Sequence, residues 1–60
     1  MTQIWKGKTE YFSEMVDALE CAGIKTEVDN KKWTISVDSK NYSQANGILM
    51  ELNELLGAGW

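Results

Sequence analysis

The sequence predicts an α+β two-layer sandwich with elements in the order β-α-β-β-α, and three observations carry that prediction. Two stretches repeat apolar residues at helical spacing, and two others alternate apolar and polar residues with a period of two. The two alternating stretches also match each other across a turn, so that apolar residues share one face. Sixty residues make one domain, 1–60, near the lower limit for folding without disulfides or metals.

Residues 2–6, TQIWK, read as the first strand. Gly7 ends it, and Thr9 is placed to cap the helix that follows. In that helix, over 10–22, Phe12, Met15, Val16 and Leu19 share one face, while Glu10, Glu14 and Asp17 share the opposite one. Gly23 suits the left-handed position that ends a helix.

The next stretch reads IKTEVDNKKWTISVD. Ile24, Thr26 and Val28 alternate with Lys25, Glu27 and Asp29, and Trp33, Ile35 and Val37 alternate with Lys32, Thr34 and Ser36. A two-residue loop at Asn30 and Lys31 sets Asp29 opposite Lys32, Val28 opposite Trp33, Thr26 opposite Ile35 and Ile24 opposite Val37; Lys31 suits the second turn position less well than Gly, which leaves a slightly longer loop open. Ser39 or Asn41 is placed to cap the last helix. Its inner face is Ala45, Ile48, Leu49, Leu52, Leu55 and Leu56, with Gln44, Asn53 and Glu54 pointing away and Gly57 ending it.

One apolar sheet face and two apolar helix stripes put both helices on one face of a three-stranded antiparallel sheet. A right-handed crossover between the first two strands leaves room for the third between them, giving the order 1-3-2. That is a ferredoxin-like unit lacking the fourth strand. Only four residues follow Leu56, GAGW, too few to return and pair. The edge of the first strand is therefore expected to stay open for another chain or a second copy.

Composition excludes several chemistries. The net charge is −3, with no His, and all six positive charges are lysines. Without Arg there is no bidentate fork for phosphate, and no basic patch forms, so direct nucleic-acid binding is not expected. Without His the commonest general base and metal ligand is missing, so neither catalysis nor a cofactor is expected. No run of apolar residues is long enough to cross a membrane, and the first residues lack the apolar core of a signal peptide. A lone cysteine, Cys21, forms no internal disulfide, and a cytoplasmic setting is the expectation.

Individual motifs have plain explanations. Gly7-Lys8-Thr9 matches the end of a phosphate loop, but Thr2 stands where its first glycine belongs. Asn41-Tyr42-Ser43 fits a glycosylation acceptor and equally a helix start. Cys21 has no His partner for nucleophilic activation and reads as an inert residue at the helix end. Glu10, Glu14 and Asp17 are a solvated helix face or a contact for a basic partner. Trp5, Trp33 and Trp60 make three tryptophans in sixty residues. Trp33 belongs to the core in this register. In a regular strand Ile4 and Trp5 face opposite sides, so one is core and the other lies on the open sheet face. An aromatic there would anchor a partner. Trp60 either folds back on the second helix or stays free.

The stretches MVDALECAGIKTEV and WTISVDSKNYSQANGILMEL resemble the prokaryotic signal-transducing protein family. The shared features are the Leu19-Glu20-Cys21-Ala22-Gly23-Ile24 phrase, a hairpin whose second strand ends near an acid, Asp38, and a helix carrying Ala45. The resemblance covers about three quarters of the chain, and implies a small βαββα domain with no identified catalytic residue. The functional expectation is a small non-catalytic protein-binding regulator or inhibitor of the kind that phages and mobile elements encode. It would contact its partner through Glu10, Glu14, Asp17, Trp5 and Trp60. The alternatives are a ligand-sensing or signal-transducing domain acting as a homodimer, and an acidic mimic of nucleic acid.

Overall fold

The computed structural model describes residues 1–60. Its elements are β1 (Thr2–Lys6), α1 (Phe12–Cys21), β2 (Thr26–Asp29), β3 (Thr34–Val37), a 3-10 turn (Ser39–Asn41) and α2 (Tyr42–Leu56). The sheet is antiparallel in the order β1-β3-β2, so β3 is central and β1 and β2 are its edges. This is the predicted α+β arrangement. α1 packs over β2, and α2 packs over β1.

One core joins the two layers. Phe12, Met15 and Leu19 from α1 meet Ile35 and Val37 from β3 and Ala45 and Leu49 from α2, with Ile24 closing the cluster. Each of these side chains other than Ala45 contributes about 1.5–3 kcal/mol when taken fully out of water. The uncovered sheet face is polar: the row Gln3–Ser36–Glu27 lies across it, and the row Lys6–Thr34–Asp29 lies next to that. Alternation puts Trp5, Ile35 and Val28 on the helix side.

The helix ends follow local chemistry. Beyond α1, Gly23 N–H donates to the Glu20 carbonyl (2.9 Å) and Ile24 N–H to the Leu19 carbonyl (3.0 Å). That pair of bonds needs a left-handed residue between, and Gly23 supplies it at φ 80°. It also sets Ile24 beside Leu19, both buried. Gly57 ends α2 in the same region, at φ 62°.

Several local expectations need correction. α1 begins at Phe12, not Glu10. Thr9 does not cap it; its hydroxyl accepts from Tyr11 N–H at 3.3 Å and holds a turn before the helix. Asn41 stands at the N-cap position of α2 but makes no side-chain capping bond, and Ser39 does not cap that helix; Asp38 caps the 3-10 turn before it, its carboxylate accepting from Lys40 N–H at 3.2 Å. Ser39 instead hydrogen-bonds the Thr2 hydroxyl at 2.6 Å. Leu55 lies outside the inner face at 80% exposure.

The hairpin register also differs, by two residues. Asp29 pairs with Thr34, Val28 with Ile35, Glu27 with Ser36 and Thr26 with Val37. A shift of two preserves which side chains face the core, so the faces stand while the partners change. The physical cause lies in the loop. One carboxylate oxygen of Asp29 accepts from both Lys31 N–H (2.9 Å) and Lys32 N–H (3.1 Å), stabilising a four-residue loop over a two-residue one. Trp33 closes that loop with φ 56°, a left-handed conformation that costs a bulky residue about 1–3 kcal/mol. Packing offsets this strain. The Trp33 ring lies edge-on to Phe12 at 5.0 Å, Lys8 Nζ sits 5.7 Å from its centroid, and its carbonyl accepts from Gly7 N–H at 2.9 Å.

Candidate functional site

The site is built at the β1 edge by an irregularity. Gln3 pairs with Ser36 but Trp5 pairs with Ile35, leaving Ile4 as an extra residue between them. Such a bulge re-aims side chains and breaks alternation. Ile4 and Trp5 therefore both pack against the core. The expectation that one of them must occupy the open sheet face fails for this reason, and that face carries no aromatic anchor.

Trp5 is fixed at its polar end, where its indole N–H donates to the Gly7 carbonyl at 2.8 Å. Trp60 folds back onto it, with ring centroids 5.2 Å apart and planes tilted by 55°. Tyr11 meets Trp60 edge-on at 6.2 Å. The fold-back is pinned by Asn53, whose side-chain oxygen accepts from Trp60 N–H at 3.1 Å. Asn53 thus turns toward the tail rather than away from the domain.

Ile4, Trp5, Leu49, Met50 and Trp60, with Asn46 and Asn53, line an open groove of about 240 Å³ between β1 and α2. Its floor is Leu49, which is buried, and its rim is Met50, which is 63% exposed. Asn46 donates to the Met50 sulfur at 3.7 Å. No lining side chain is charged. The residues from α2 follow from helical geometry: Asn46, Met50 and Asn53 recur at intervals of four and three, on one flank. That uncharged flank was readable in the sequence, but its meaning depends on β1 lying beneath it.

The predicted site residues therefore fall into two groups. Trp5 and Trp60 come together at the groove. Glu14 and Asp17 sit exposed on α1, the other helix, and Glu10 lies in the turn before it. No group of three or more His, Cys, Asp or Glu side chains is arranged to hold a metal ion. Cys21 is exposed, and no helix is long and apolar enough to cross a membrane.

Comparison with family models, curated proteins and solved structures returns no match.

Proposed function

We propose that this chain is a small non-catalytic protein-binding regulator or inhibitor, and that its contact surface is the β1 edge together with the groove beside it. The observation that carries the reading is the coincidence of two features at one place. β1 has a neighbouring strand on one side only, and the uncharged Ile4–Trp5–Leu49–Met50–Trp60 groove runs along it. An unpaired strand edge offers main-chain hydrogen bonds to an added strand, and an adjacent pocket selects its side chains. About 150 Å³ suffices for a benzene-sized group and drug-sized ligands occupy roughly 300–1,000 Å³, so about 240 Å³ suits one large side chain.

Affinity capture with the immobilised full chain tests the reading. Met50→Glu puts a charge on the groove rim at an exposed position, where the fold tolerates it. Captured partners should be lost with Met50→Glu and kept when Glu10, Glu14 and Asp17 are all changed to Lys. Loss on the acidic reversal, with Met50→Glu neutral, would move the contact to α1 and sink the reading.

A further inference from the structure

We infer that the β1 edge takes an extended segment of another protein in which a large apolar residue stands next to an acidic one. This deepens the proposed function and rests on it. Two properties of the edge specify the segment. A strand added to β1 places alternate side chains on opposite sheet faces. Those on the helix side meet Ile4 and Trp5 and enter a groove large enough for one ring or branched aliphatic group. Their neighbours in sequence lie on the open face, where the charged residue of β1 is Lys6, in the row with Thr34. A carboxylate directly across from Lys6 is the favourable cross-strand partner there. The groove itself, having no charged side chain to pair with, disfavours a charged group that would lose its hydration.

A second copy of this chain fits less well. Its own β1, TQIWK, has no carboxylate to answer Lys6. The occupant is therefore a different sequence, with apolar and acidic residues adjacent.

Selection of random short peptides displayed against the immobilised full chain tests this. The selected sequences should share a Leu, Phe or Met with Asp or Glu beside it. Synthetic copies should bind saturably and change the tryptophan fluorescence, because Trp5 and Trp60 line the groove. Binding should weaken about tenfold or more when the apolar residue becomes Thr or when the protein carries Met50→Glu. Lys6→Glu should shift the selected preference from acidic to basic residues. Selection of no peptide, of peptides without a shared apolar residue, or of peptides indifferent to Met50→Glu and Lys6→Glu overturns the inference. Sedimentation of the free chain as a dimer that Met50→Glu dissociates would assign the edge to a second copy instead. If capture depends on Met50 while the peptides show no apolar-acidic preference, the proposed contact surface stands and this specificity falls.

Discussion

β2 and β1 are the two edges of one sheet, yet their chemistry differs. β2 carries Glu27 and Asp29, with Lys25 just before it, and the cleft between it and α1 is lined by Asp17 and Glu20 as well as Phe12, Val16 and Val28. β1 carries one charge, Lys6, and the flank of α2 beside it presents Asn46, Met50 and Asn53. Charges on an edge strand and its surroundings discourage pairing with other chains. The β2 edge is protected in this way. The β1 edge is protected only by its bulge and by Trp60 folded over one end of its groove. Charge therefore guards one edge of this sheet and not the other.

The comparison breaks first if the shared core is damaged. Ile35 on β3 is fully buried and pairs with both Trp5 and Val28, so Ile35→Ala removes support from both edges. The expected loss is about 2–5 kcal/mol, against a total of roughly 3–9 kcal/mol for a chain of this length. Urea unfolding followed by circular dichroism measures it. Hydrogen exchange should show β1 and β2 losing protection together; loss at one edge alone would mean that they do not share one core.

Trp60→Ala separates the edges. It removes the ring from Trp5 and Tyr11 and should cost about 1–3 kcal/mol. Amides of β1 and of the last turn of α2 should exchange faster, while β2 amides keep their relative protection. Asp29→Ala is the counterpart on the other side. It leaves Lys31 and Lys32 N–H without their acceptor and should cost about 1 kcal/mol, with faster exchange confined to the hairpin loop.

The smallest effect on stability is the most informative about protection. Lys25→Thr with Glu27→Thr removes charges from exposed positions and should change stability by less than about 0.5 kcal/mol. Sedimentation should nonetheless detect self-association that the parent chain lacks at the same concentration. Unchanged sedimentation would show that charge is not what guards the β2 edge.

The sequence made the architecture legible because periodicity survives small errors. Phe12, Met15 and Leu19 lie on a helix face whether the helix begins at Glu10 or Phe12. Val28, Ile35 and Val37 face the core in either of two registers that differ by two residues. What alternation does not encode is which of those registers the turn selects. That choice rests on the Asp29 carboxylate holding two loop amides and on Trp33 accepting a left-handed backbone, a position more usual for Gly or Asn. The candidate site was less legible. Reasoning from a regular strand set Ile4 and Trp5 on opposite faces, whereas the bulge turns both inward. A bulge depends on how β1 meets β3, and TQIWK alone holds no sign of it. The helical angle of Asn53 points it to solvent, and nothing in that angle shows the backbone of Trp60 coming back to it.

The account's central claim is that contact with a partner occurs at β1 and the groove beside it. A hydrogen-exchange map of the chain bound to a captured partner or a selected peptide tests this most directly. The account predicts new protection at Thr2–Lys6, since those are the backbone groups an added strand would cover, with fluorescence changes from Trp5 and Trp60. Protection that falls on Lys25–Asp29 or across Glu14 and Asp17, with Thr2–Lys6 exchanging as in the free chain, would contradict it.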